Sequence, residues 1–336
     1  AAAGPGVAQD YLPGTLALRA RQLTLQGRTL HNLVAGVQRE GSTWRATLDA
    51  VELNGHLEYR PPTAPEQTGG RVFARLARLS VPQNDVAQVE SLLDERPGDL
   101  PALDIVVDAF ELRGKRLGRL EIQAQNRGEG MRREWQLSQF DLLTPQASLS
   151  ASGNWAQPSP GPTERRTQLD FELEIHDAGA LLDSLGMADT VRNGKGRMQG
   201  QLAWTGTPFS PDYRSMAGQI HLNVASGQFL QADPGGPAKL LSVLSLQSLP
   251  RRLALDFRDV FSKGFAFDFV RGDVRIDQGL ATTNNLQMKG VSAAVLMEGS
   301  ADIAHETQNL RVLVVPEINA LTASLVATAI NPVIGL

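Results

Sequence analysis

The sequence predicts a mainly β protein, a long twisted antiparallel meander that curls on itself and carries only a few short helices. Three observations lead there. Apolar residues alternate with polar ones along most of the chain, the two-residue period of a strand with one buried face. Short polar turns punctuate these runs. One strand-turn-strand unit occurs twice at a fixed offset, the mark of a repetitive fold.

The elements follow in order. LALRARQLTL (16–25) places Leu16, Leu18 and Ala20 on one face and then changes phase to Leu23 and Leu25. LDIVVDAFEL (103–112) does the same, with Leu103, Ile105 and Val107 followed by Phe110 and Leu112. One extra residue in a strand flips every later side chain, so a bulge or bend is expected before Leu23 and before Phe110. LTLQGRTLHNL (23–33) aligns with FELRGKRLGRL (110–120) at an offset of 110 − 23 = 87, matching Leu25, Gly27, Leu30 and Leu33 to Leu112, Gly114, Leu117 and Leu120. A tryptophan-bearing strand follows each copy, STWRATLDAVEL and RREWQLSQFDLL. Further strands are expected at 168–176, where Leu169, Phe171 and Leu173 alternate, and at 196–206 and 218–229. Leu253, Leu255 and Phe257 share one face, as do Phe265, Phe267 and Phe269, with Val274 and Ile276 continuing the pattern. The last strands are expected at 280–290, 291–303 and 309–316.

Helical signals are sparse. Residues 85–96 are amphipathic through Val86, Val89, Leu92 and Leu93. Residues 177–186 open on an Asp N-cap and stop at Gly. Residues 236–249 carry Pro237 near the first turn and the apolar residues Leu240, Leu241, Leu244 and Leu249. The tail at 319–336 reads as an interfacial or groove-closing helix, since its eighteen residues sit at the short limit for a membrane span and Pro332 interrupts it. These few helices cannot cover so many one-sided strands. Either the sheet closes as a barrel or sandwich, or it curls partway into a groove whose apolar interior holds something else, for which lipid is the natural candidate.

Chemistry-bearing motifs are missing. His31, His56, His176, His221 and His305 show no metal-ligand spacing, and there is no cysteine. GKGRMQG (194–200) has glycines but leads into a strand where a dinucleotide fingerprint needs a helix. No nucleophile elbow or phosphate loop occurs. The formal charge of −4 offers no basic surface for nucleic acid. The sequence thus points to no catalytic residue, no metal, no cofactor and no enzyme.

The stretch DPGGPAKLLSVLSLQSLPRRLALDFRDVFSKGFAFDFVRGDVRI (233–276) resembles the C-terminal region of the YhdP branch of the AsmA-like family. HDAGALLDSLGMADTVRNGKGRMQGQLAW (176–204), MEGSADIAHETQNLRVLVVPEI (297–318), LPALDIVVDAFELRGKRLGRLEIQAQNRG (100–128) and SASGNW (150–155) are similar to the same family. The resemblance implies a bridge-like lipid-transfer protein of the Gram-negative envelope. Its periplasmic β-meander would form an apolar groove that carries phospholipids between inner and outer membranes and supports the outer-membrane permeability barrier. It also implies an inner-membrane helix outside this sequence, a position of this piece near the outer membrane, and no cofactor.

On that basis the chain divides into a meander repeat with a short helix (1–98), a second repeat (99–160), a C-terminal β-groove region with capping helices (161–318) and an apolar helix (319–336). The expected groove lining is Leu103, Ile105, Val107, Leu169, Phe171, Leu173, Leu253, Leu255, Phe257, Phe265, Phe267, Phe269, Val274 and Ile276, with helix 237–249 as a cap. The competing expectation for the phenylalanine strands is an ordinary closed core. The competing function is an envelope assembly or scaffold factor that acts on outer-membrane proteins by strand addition, without lipid conduction.

Overall fold

Strands in sequence order make strands in spatial order. The computed structural model describes residues 14–25, 28–62, 69–81, 100–112, 114–128, 134–157, 165–208, 211–230, 264–291, 293–305 and 307–316. Within them, sixteen strands form one sheet in the order β1 to β16. The first five are β1 (Thr15–Leu25), β2 (Arg28–Glu40), β3 (Thr43–Asp49), β4 (Leu53–Arg60) and β5 (Arg71–Val81). The next five are β6 (Ala102–Leu112), β7 (Lys115–Arg127), β8 (Glu134–Leu143), β9 (Ala147–Ala156) and β10 (Arg166–Ile175). After the helix α1 (Ala178–Ser184) come β11 (Val191–Thr205), β12 (Ala217–Phe229), β13 (Phe265–Asp277), β14 (Leu280–Gly290), β15 (Ala293–Asp302) and β16 (Thr307–Pro316). The sheet is not closed into a barrel: β1 and β16 are its two ends.

The repeat is visible in the pairing. β1 and β6 begin 102 − 15 = 87 residues apart, and β2 and β7 begin 115 − 28 = 87 apart. The pairs from β1 to β5 are antiparallel, but β5 and β6 run parallel, with Arg71 opposite Ala102 and Val81 opposite Leu112. Alternation alone does not announce this exception. Its cause is arithmetic: a five-strand repeat ends on a strand running the way it began, and the second copy starts in that same direction. A parallel return needs a long crossover. Residues 82–99 connect the two strands, and they, with the helix expected at 85–96, lie outside the described residues.

The expected phase breaks are present in two forms. In the second copy the β6/β7 register shifts between Val107 and Phe110 and again before Glu111, while Asp108 and Ala109 point outward together. In the first copy the β1/β2 register stays continuous. There Asn32 takes a left-handed φ of 53°, and both strands turn two successive residues outward, Arg21 with Gln22 and His31 with Asn32. Further register shifts fall at Asn54/Gly55, Gln123/Ala124, Leu137/Phe140 and Thr283/Leu286. Each such irregularity bends its strand and adds twist, which curls a sheet that would otherwise lie flat.

Among the described residues there is a single helix. Asp177 caps α1 by accepting a 3.0 Å hydrogen bond from the Ala180 N–H. Gly186 ends it at φ 89°, donating its N–H to Asp183. The other expected helices, at 236–249 with Leu240, Leu241, Leu244 and Leu249, and at 319–336, lie outside the described residues.

The fold resolves into two compact units, Ala1–Glu174 with Gln199–Gly218 and Ile175–Met198 with Gln219–Leu336. In the first, three apolar clusters run along one side of the sheet. Leu33, Ala35 and Ala50 are backed by Leu18, Leu23, Leu30 and Leu48. Ala74, Leu76, Val107 and Leu120 join three successive strands, β5 to β7, with Phe140 and Leu142 of β8 packed against them. Leu100, Ala124, Leu137 and the cross-strand pair Trp135 and Trp155 complete the series. The second unit buries Phe265, Phe267, Ile276, Met288, Ala293, Val295 and Met297.

Candidate functional site

The two faces of the sheet have opposite chemistry. Outward positions carry charge ladders. Arg45 bridges to Glu58 and Glu40, Glu58 also binds Arg60, Arg75 binds Asp104, and Arg119 binds Asp108 and Glu121. The Arg45 and Arg60 guanidinium groups hold the Glu58 carboxyl below its usual range. In the second unit, His221 Nδ1 lies 2.6 Å from Asp273, whose other oxygen accepts from Asn285 Nδ2 at 2.6 Å. These contacts, the His221 ring first, lower the Asp273 pKa. Ladders of this kind keep the outer surface wet.

Among the described residues, hollows indent that outer surface. One, of about 450 Å³, is walled by Arg119, Glu121, Asp141, Glu172 and Glu174 together with leucines and serines. Another, about 170 Å³, lies among Glu58, Arg60, Arg71, Phe73 and Asp104. No group of three or more metal-ligating side chains occurs among the described residues.

The inward face is apolar and uneven. On β6, Leu103 and Ile105 are half-buried and Val107 is 0% exposed. On β10, Leu169, Phe171 and Leu173 are half-buried, while Gln168 before them and Asp170 between them are exposed. On β13, Phe265 and Phe267 are buried at 2% and 5% exposure, Ile276 is buried at 5%, and Val274 is half-buried. Phe269 departs from the expected stripe. The β13/β14 register shifts between Phe267 and Phe269, so Val270 comes opposite the buried Met288 and Phe269 opposite the exposed Lys289. Phe269 therefore turns to the outer face, where the Arg271 guanidinium lies 4.2 Å from its ring centre. Leu253, Leu255 and Phe257 lie outside the described residues.

Several inward residues escape a reading by alternation alone. Trp135 and Trp155 face each other across β8 and β9, and the Trp135 indole donates to the Pro101 carbonyl at 3.0 Å. Glycines make up other parts of the surface. A Cβ on Gly290 would strike the Phe265 ring as well as the Ala266 carbonyl, so the chain there approaches too closely for any side chain. No helix among the described residues is long and apolar enough to cross a membrane.

Among the described residues the open meander thus presents an apolar face and a charged one. Comparison with known proteins gives the fold a family. The family model described as YhdP protein matches residues 3–336, and the chain belongs to that family. It is 31% identical over 187 residues to the intermembrane phospholipid transporter YhdP of Escherichia coli (strain K12). That match covers 56% of this chain but only 14% of the relative, so the chain corresponds to a small part of the relative's length. No solved structure matches the chain.

Proposed function

We propose that this chain is a section of a bridge-like conduit that carries phospholipids between the inner and outer membranes across the periplasm, and so supports the outer-membrane barrier. Acyl chains would run along the inward face, past Leu103, Ile105, Val107, Leu169, Phe171, Leu173, Phe265, Phe267, Val274 and Ile276, with head groups left in water. The observation that carries the reading is the half-buried apolar inward face of an open sheet, in a family whose relative is named for phospholipid transport. The physics fits. Each methylene drawn into water costs about 0.8 kcal/mol, and a continuous apolar track removes most of that barrier without needing specificity.

The test is a lipid-transfer assay between donor and acceptor vesicles. Phe171→Glu puts a charge on the track, and Gln168→Glu puts the same charge outside it. The conduit reading expects folded protein in both cases, with transfer lost only for Phe171→Glu. Equal transfer by the two variants would remove this face from the path. The second reading, envelope assembly without lipid conduction, draws support from β1 and β16, each of which has one strand neighbour among the described residues, an edge of the kind that strand addition uses. It expects protein crosslinks from residues of β16 and no bound lipid.

A further inference from the structure

Phe267 occupies a place made for it by glycine. Its ring is 5% exposed and lies 5.2 Å, centre to centre, from the Phe229 ring at an angle of 44°. A Cβ added to Gly227 on β12 would run into three carbons of that ring. A Cβ on Gly194 of β11 would lie 3.1 Å from the Ala178 methyl, 3.4 Å from Val224 and 3.9 Å from the Phe267 ring. Gly194 has a left-handed φ of 95°, which by itself favours glycine. Gly227 does not: the positive φ in that stretch belongs to its neighbour Ser226, at 52°. Glycine at 227 is therefore required by the ring and not by the backbone.

The result is a trough across β11 and β12, floored by Gly194 and Gly227, walled by Ala178 and Val224 and filled by a phenyl ring from β13. It is narrow, apolar and without a polar group among these contacts, which is the chemistry a single hydrocarbon chain needs. We propose that this trough is an acyl-chain site, that Phe267 fills it when no lipid is present, and that an arriving chain displaces the ring. The proposal rests on the conduit reading above and gives it a place and a gate. Exchanging one apolar occupant for another leaves the buried apolar area nearly unchanged, so lipid can drive the swap through its own preference for the opened form.

The experiment uses the whole chain as wild type, Phe267→Ala and Gly227→Leu, each first checked for wild-type β-sheet circular dichroism. If Gly227→Leu fails that check, the smaller Gly227→Ala takes its place. The proteins are incubated with phosphatidylethanolamine/phosphatidylglycerol vesicles carrying a phospholipid with a diazirine in its acyl chain. They are then irradiated and mapped by peptide mass spectrometry. The expected result is labelling of β11–β13 peptides in wild type, severalfold more in Phe267→Ala and much less in Gly227→Leu, with labelling of β10 unchanged throughout. Labelling of β10 in all three proteins with no difference at β11–β13 would overturn the trough while leaving the conduit standing. No labelling anywhere in wild type would sink both.

Discussion

Two inward stripes, that of β10 in the first unit and that of β13 to β15 in the second, are built alike and finished differently. On β10 of the first unit the apolar stripe of Leu169, Phe171 and Leu173 stays half-buried, and on β1 Leu16 is 46% exposed. In the second unit Phe265, Met288, Ala293, Val295 and Met297 are all at 4% exposure or less. Apolar surface left partly open is a liability of about 25 cal/mol per Å² relative to burial, and a fold that keeps it has a use for it. The sealed surface contributes to stability and admits a ligand only where a ring such as that of Phe267 moves aside, whereas the half-open one is available to a ligand as it stands. Substitution should separate the two roles.

The largest contrast is expected from a charge. Phe265→Glu buries an unpaired carboxylate among side chains that cannot solvate it, which costs several kcal/mol and should unfold the second unit. Phe171→Glu, on the half-open stripe, should give folded protein. Urea titration followed by circular dichroism checks both, and equal loss of stability would erase the distinction between the units. Truncation makes the same comparison more gently. Phe265→Ala should lose roughly 3–5 kcal/mol, while Leu173→Ala, which gives up less buried area, should lose under about 2 kcal/mol.

Much of this architecture was legible in the sequence. Period-two alternation located the strands, the offset copies located the repeat, and Asp177 with Gly186 bracketed α1 because capping chemistry is local. What escaped depends on register. The parallel contact of β5 with β6 leaves the alternation unchanged, since a strand reads the same whichever way its neighbour runs. The bulge that turns Phe269 outward sits in a run of alternating phenylalanines with no glycine or proline to signal it. In the first copy the same kind of phase break appeared as a left-handed Asn32 with the register unchanged. The trough under Phe267 was invisible because its floor is glycine, which alternation counts as nothing.

Smaller effects sharpen the picture of the second unit. Asp177→Ala removes the α1 cap and should lower stability by about 1 kcal/mol in thermal unfolding. Asp273→Asn removes a carboxylate whose pKa the His221 and Asn285 contacts lower. A lowered folded pKa means the contribution is present above the unfolded value of about 3.9 and fades as pH falls through the folded value. The variant should therefore melt slightly below wild type at pH 6, and the gap should close in acid. A gap that persists at pH 2 would assign the effect to packing instead.

The central claim is that the inward face holds phospholipid. The most direct measurement is solvent extraction of the wild-type chain, purified from a Gram-negative envelope without added lipid, followed by mass spectrometry and a phosphate count. The conduit account predicts phospholipid at least equimolar with protein, mixed in head group, and lost on Phe171→Glu. A well-folded wild-type protein that carries no phospholipid would contradict it.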